Sequence, residues 1–212
     1  MPVSRVVDVA PERVVKWAAG FAARHGEFDI ETSDDAMSLR AADAAVAVLA
    51  VPFPPLRASA ARSPLETLAA HAARPRRLGI LLVRLGGYAV GVFDDGELVA
   101  SKVGARPVHG RSAAGGWSQQ RFARRREGQA RVALAAAADA AAAILLPLRE
   151  TLDAVVTGGD RRALRDVLDD PRLGELSALT VSRVLDVPDP KAAVLRASHA
   201  SALAIRVTIS EP

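Results

Sequence analysis

A chemically loaded string lies just past the middle of the chain. It reads His109-Gly110-Arg111, then Gly115-Gly116-Trp117-Ser118-Gln119-Gln120-Arg121-Phe122-Ala123-Arg124-Arg125-Arg126. Glycines let a backbone approach a ligand closely, because no Cβ stands in the way. Glutamine offers a donor and an acceptor on one side chain, and arginine supplies phosphate-seeking charge. Two glutamines directly before an arginine-loaded helix start suit a loop that enters an RNA site and orients a small reactant there. Arg106, Arg111, Arg121, Arg124, Arg125, Arg126 and Arg131 face a single acid, Glu127, so this segment nets +6 in a chain of net +4 and the remainder nets −2. A basic patch on a near-neutral body is the footprint of a polyanion partner, and on charge alone a solvated helix face fits as well.

Other chemistries find less support. The chain has no cysteine, which excludes disulfides, thiolate metal sites and a cysteine nucleophile and is compatible with a cytoplasmic protein. His25, His71, His109 and His199 lack metal-ligand spacing, and His109 reads as a structural hydrogen-bonding residue near the loop. Gly158-Gly159-Asp160 lacks the lysine and hydroxyl of a phosphate-binding loop, so it reads as a turn followed by a helix cap. No serine sits in a nucleophile elbow, and no acidic cluster suits a two-metal nuclease. Neither a metal nor an organic cofactor is expected. The most apolar run, Leu134 to Leu148, carries Asp139 and is too short for a bilayer, and no signal peptide is visible, so no membrane partner is expected.

The elements that must position the string follow from periodicity. At 212 residues, half of them hydrophobic, the chain can hold one good-sized globular domain and a small appendage. Pro11 opens a helix to about Arg24, with Val14, Trp17, Ala18 and Phe21 as its apolar stripe and His25-Gly26 as its end. Strands are expected over 27–32, 36–40 and 44–51, with Asp34-Asp35 as a turn. Pro52-Phe53-Pro54-Pro55 interrupts both helix and strand. Residues 1–56 therefore read as an N-terminal α+β unit, and 57–75 as a linker with a short helix capped by Ser63 and Glu66. Residues 76–212 read as an α/β domain with a mixed sheet and packed helices. Its strands are expected at 78–85, 88–93, 97–103 and 153–157, with Gly86-Gly87 and Asp94-Asp95-Gly96 as turns. A loop over 107–117 leads to a long helix from about Ser118 to Leu146 whose Leu134, Ala137, Ala138, Ala141 and Leu145 face the sheet. Asp160 caps a helix over 161–168, residues 177–200 supply a strand and a helix, and Leu203 to Ile209 alternates as a closing strand.

Arg121, Arg124, Arg125 and Arg131 share one side of the long helix near its start. Cations there oppose the helix dipole, typically by a few tenths of a kcal/mol each when exposed. A polyanion docked on that end would reverse the sign.

Residues 76 to 209 resemble the middle domain of eukaryotic and archaeal class-1 release factors, in which a hairpin leads to a Gly-Gly-Gln loop and a long arginine-rich helix. That domain has an RNase H-like sheet. The residues carrying the resemblance are His109-Gly110-Arg111, Gly115-Gly116, Ser118 and Arg121-Phe122-Ala123-Arg124, with Val155-Val156-Thr157-Gly158-Gly159 and Asp170-Pro171-Arg172-Leu173 downstream. Three residues, Ser112-Ala113-Ala114, separate the first element from the glycines, and Trp117 occupies the position of the release-factor glutamine when Arg121-Phe122 is held in register. The displaced glutamines are more similar to the Vms-type release factors of ribosome quality control, and the Gly-Gly-Trp-Ser-Gln-Gln-Arg-Phe-Ala string to their actinobacterial branch.

The resemblance implies hydrolysis of the ester between a nascent peptide and its tRNA on a stalled large ribosomal subunit. Gln119, or else Gln120, would hold the water. Gly115 and Gly116 would admit the CCA end. Arg111, Arg121, Arg124, Arg125 and Arg126 would grip phosphates of tRNA or ribosomal RNA, and Trp117 would anchor the loop or stack on a base. Because relatives of this fold lacking the glutamine bind ribosomes without hydrolysis, a non-catalytic ribosome- or tRNA-binding adaptor is the alternative expectation.

Overall fold

A computed structural model describes residues 3–84, 86–105 and 118–211, with backbone alone for Val3 and residues 118–127. The chain forms two compact units, Met1–Arg74 with Ala200–Pro212 and, between them, Pro75–His199. Each is built on its own five-stranded sheet, and the whole is a mixed α/β fold.

In the first unit, Pro11–Arg13 makes a 3-10 turn that runs into α1 (Val14–His25), and Gly26 at φ 84° ends it. The expected stripe is the buried one: Val14, Ala18 and Phe21 are inside, with Trp17 half-buried and its ring 5.8 Å from that of Phe21. The sheet runs β1 (Val3–Val9), β10 (Ile205–Glu211), β4 (Val46–Ala50), β3 (Ala36–Ala41), β2 (Phe28–Thr32), all antiparallel. Strand β4 starts later than expected because Ala44, at φ 70°, sits in a turn closed by its N–H on the Ala41 carbonyl. The proline run folds onto this unit: Leu56 is buried in its core, and the His71 ring lies 3.0 Å from the carbonyls of both Pro52 and Phe53. Helix α2 (Pro64–Ala73) carries the expected capping box, Ser63 N–H donating to Glu66 and Glu66 N–H to the Ser63 hydroxyl, and buries Leu68 and Ala72 in the same core.

Residues 57–75 are thus largely part of the first unit, and the strand expected to close the second domain lies in the first sheet. It pairs with β1, which the periodicity reading missed, and with β4. Ile205, Val207 and Ile209 do share the buried face, whereas Leu203 is the last residue of α5 (Ala192–Leu203). Alternation specifies a half-buried strand without naming its neighbours.

The second sheet runs β7 (Glu97–Ala105), β6 (Gly87–Asp94), β5 (Arg77–Arg84), β8 (Ala154–Gly159), β9 (Thr180–Leu185). Strands β5, β8 and β9 are parallel; β6 and β7 form antiparallel hairpins with their neighbours. The β6–β7 turn holds Asp95 and Gly96 at φ 47° and 87°, a two-residue loop whose twist matches that of the hairpin. Helices α3 (Ser118–Leu145) and α4 (Arg161–Leu168) share one core over Leu81, Val83, Val90, Val92 and Val155. Helix α5 covers the opposite face, where Leu195 approaches Gly91 and His199 stacks on Phe93 at 5.1 Å. Gly128–Thr151 is long and apolar enough by length and composition to cross a membrane, more than the Leu134–Leu148 run suggested. Its Ala137, Ala138, Ala140, Ala141 and Leu145 are nevertheless buried against this sheet.

Candidate nucleic-acid interface

The parallel strands give the second sheet an amino end and a carboxyl end, and β7 ends at the latter. Gly87 opens β6 opposite Ala105, the last residue of β7, and Arg84 at the end of β5 is opposite Gly87. The chain leaves β7 at Ala105 and re-enters described structure at Ser118, the first residue of α3. Tyr88 is buried with its ring over Gly104, which packs the root of this connection. Open α/β sheets commonly place ligands beyond the carboxyl ends of their strands.

Two further chain segments converge there. Gly159 pairs with Val83 at φ 106°, so close that a Cβ would stand 2.2 Å from the Val83 carbonyl oxygen. Only glycine permits this approach. It lets the Asp160 N–H donate to that same carbonyl at 2.9 Å and starts α4 directly at the strand end. The Asp160 carboxylate accepts from the N–H groups of Arg162 (2.9 Å) and Ala163 (2.8 Å), a true helix cap. Gly158-Gly159 is thus the end of a strand, where the sequence suggested a turn. The segment after β9 is tied in by Arg84, whose guanidinium donates to the Val187 carbonyl at 2.8 Å.

Helix α3 descends from this end. Its last residue, Leu145, lies against Gly79 near the start of β5, where a Cβ would approach it to 3.0 Å. With 28 residues the helix is about 42 Å long, whereas the eight-residue β5 spans about 26 Å. The first turns of α3 therefore reach beyond the sheet by about 15 Å on these rises. Arg131, Val132, Ala135, Asp139 and Ala143 form its exposed stripe. Continued backwards at 3.6 residues per turn, that stripe passes through positions 121, 124, 125 and 128. Position 126 falls on the opposite side, in line with buried Ala133, Ala137 and Ala140. Positions 119 and 120 also fall away from the arginine row, in register with Ala133 and Leu134 two helical heptads later.

The lower part of α3 is stapled to the segment after α4. Arg172 reaches Asp139 at 2.8 Å and Asp170 at 2.7 Å. The hydrogen-bonded guanidinium and the Arg172 N–H hold the Asp170 carboxyl down at about 2, and Asp170 in turn keeps Arg172 charged. This conserves the direction of the helix whose upper half carries the arginines.

The sequence-derived site residues divide into two groups. Gln119, Gln120, Arg121, Arg124, Arg125 and Arg126 lie in α3, with the two glutamines inside its first turn, as the expected helix start at Ser118 implies. Their position matters, since the first four N–H groups of an α-helix lack intrahelical partners. His109, Arg111, Gly115, Gly116 and Trp117 lie outside the described residues. Arg161 and Arg162, exposed on α4 at the same sheet end, were missed; the signal was an arginine pair directly after a capping aspartate. Among the described residues, no group of three histidines or acids is placed to hold a metal ion.

Residues 76–208 match the family model described as Actinobacteria/chloroflexi VLRF1 release factor. No curated protein matches. Among solved structures, an archaeal translation termination factor, aRF1, matches at 16% identity and TM-score 0.45, covering 91% of this chain and 53% of that one. The Vms1 mitochondrial localization core matches at 10% identity and TM-score 0.40, covering 92% and 80%. Pelota of Archaeoglobus fulgidus matches at 12% identity and TM-score 0.29, covering 93% and 61%. The chain spans about half the length of the first two solved structures it matches, 47% and 53%.

Proposed function

The chain belongs to the Actinobacteria/chloroflexi VLRF1 release factor family, and from that membership we propose that it is a peptidyl-tRNA hydrolase acting in ribosome quality control. Its substrate is the ester joining a nascent peptide to the CCA end of tRNA, held on a stalled large ribosomal subunit. One observation carries the reading: within the family-matched region, the Gly-Gly-to-arginine string runs from an edge strand into the first turn of α3.

Water supplies the nucleophile. Its oxygen bonds to the ester carbonyl carbon, the bond to the tRNA 3′ oxygen breaks, and a proton passes to that oxygen. Glutamine has no useful pKa, so Gln119, with Gln120 as the second candidate, acts by holding the water rather than by taking its proton. Backbone N–H groups at the helix start, which lack intrahelical partners, and others from the loop stabilise the developing oxyanion, and one such donor contributes about 3–4 kcal/mol elsewhere. Gly115 and Gly116 leave room for the CCA end, Trp117 supports the loop or stacks on a base, and Arg111, Arg121, Arg124, Arg125 and Arg126 bind phosphates. None of these roles calls for a metal or organic cofactor, and a cytoplasmic setting follows from the ribosomal substrate.

The test is single-turnover release of peptide from peptidyl-tRNA on isolated large subunits. Gln119→Ala, or failing that Gln120→Ala, is expected to slow release by about 100-fold or more. Unchanged release in both variants removes the glutamines from the mechanism. Tight binding by the wild type with no ester cleavage would identify a ribosome-binding adaptor instead.

A further inference from the structure

We infer that the first turn of α4 forms a second phosphate-binding row, in which Arg161 and Arg162 act with Arg131 of α3 to carry an RNA strand across the carboxyl end of the second sheet. This rests on the ribosomal reading above but concerns residues outside the string that prompted it.

Placement comes first. Asp160 is hydrogen-bonded to the Val83 carbonyl, so α4 begins at the sheet end where β7 delivers the chain towards α3. Helices α3 and α4 both leave this end and run side by side, burying Ala163, Leu164 and Val167 in the core that holds Ala137, Ala138 and Ala141. Packed helix axes lie about 8–10 Å apart, close enough for one polyanion strand to touch both.

Charge comes second. Arg131, Arg161 and Arg162 are exposed and have no ion pair among the described residues. Three nearby acids are otherwise engaged: Asp160 caps the helix, while Asp139 and Asp170 hold Arg172. Asp166, one turn after Arg162 on α4, and Asp186, just past the end of β9, form no ion pair with these arginines among the described residues.

The third observation is local to α4. Its first turn holds two arginines, and the one carboxylate at that helix start, Asp160, is turned to the N–H groups of Arg162 and Ala163 rather than to either guanidinium. The exposed pair is therefore left to meet an anion from outside the fold. The fixed N–H groups of α4 do not constitute the site; the paired guanidinium groups do, and they match phosphate oxygens bidentately.

Fluorescence anisotropy with labelled deacylated tRNA, and separately with purified large ribosomal subunits, tests this between 50 and 200 mM salt. Arg161→Gln/Arg162→Gln is expected to weaken binding and to flatten the plot of log affinity against log salt by about 1–2, one increment of roughly 0.7–0.9 per lost phosphate contact. Arg161→Lys/Arg162→Lys should keep the wild-type slope, which separates lost charge from lost folding. Arg13→Ala/Lys16→Ala, on the exposed side of the first unit, should change nothing. Loss confined to one probe assigns the row to tRNA or to ribosomal RNA. If Arg161→Gln/Arg162→Gln binds like wild type while Arg124→Ala/Arg125→Ala is weakened, the α4 row is overturned and the ribosomal reading stands. If neither pair weakens binding, both fall.

Discussion

The two ends of the second sheet treat arginine in opposite ways. At the amino end charge is matched within the fold. Arg77 pairs with Asp94, its N–H donates to Asp153 at 2.7 Å and its guanidinium to Thr151 at 3.2 Å. Arg149 lies 3.3 Å from Glu150 and 2.5 Å from Glu175. At the carboxyl end the capping aspartate faces backbone N–H groups, and Arg131, Arg161 and Arg162 stay exposed without acidic partners among the described residues. Matched pairs at one end serve local structure, whereas unmatched cations at the other raise the free energy of the isolated protein slightly and lower it when a polyanion binds. On the proposal made above, the contrast separates stability from recognition within one sheet.

The largest way to break it is to wreck the carboxyl end itself. Gly159→Ala puts a Cβ against the Val83 carbonyl at a positive φ, and a loss of about 3 kcal/mol or more is expected in denaturant unfolding. Urea midpoints within error of wild type would refute the close approach. A pair of single substitutions sharpens the contrast. Asp153→Ala removes the acceptor for the Arg77 N–H and should lower stability by about 1 kcal/mol with tRNA affinity unchanged. Arg131→Ala should leave the melting temperature alone and weaken tRNA binding a few-fold, more at 50 than at 200 mM salt. If each variant altered the other property instead, the two ends would not be functionally distinct.

The smallest effect is a pH dependence near the amino end. Burial against Phe93 pushes the His199 pKa below its ordinary 6.5, with Asp95 opposing the shift weakly. A histidine depressed in the fold is protonated first in the unfolded chain. Stability is therefore fully present above about 6.5, falls as the pH drops through that value, and levels off below the folded-state pKa. His199→Phe should remove this component from melting curves between pH 7 and 5. A wild-type curve equally flat would argue against the buried stacked ring.

Much of the scaffold around the site was legible in residues alone, for reasons that are local. The long helix was expected from Ser118 to Leu146 and spans Ser118–Leu145, because alanine, leucine and arginine all favour helix over this run. The Ser63–Glu66 box and the Asp160 cap are short-range hydrogen bonds written in adjacent residues. The chemistry of the string was equally visible, since a Gly-Gly next to glutamines and arginines is unusual whatever surrounds it. What escaped was Arg161-Arg162: a dipeptide after a cap has no distinctive spacing, and its meaning depends on which sheet end α4 starts from.

Partnering of strands escaped for the same kind of reason. Ile205, Val207 and Ile209 alternate correctly, but the same alternation would fit either sheet, and β1 lies almost the whole chain away from the strand it joins. Helix periods, caps, tight turns and the local excess of positive charge belong to the sequence by itself, because each is decided by residues within a few positions of one another. Which strands become neighbours, which helix starts share a sheet end, and which cations are left without acids were decided only by the tertiary structure. Those properties come from long-range burial, where distant segments meet in a register no single segment encodes.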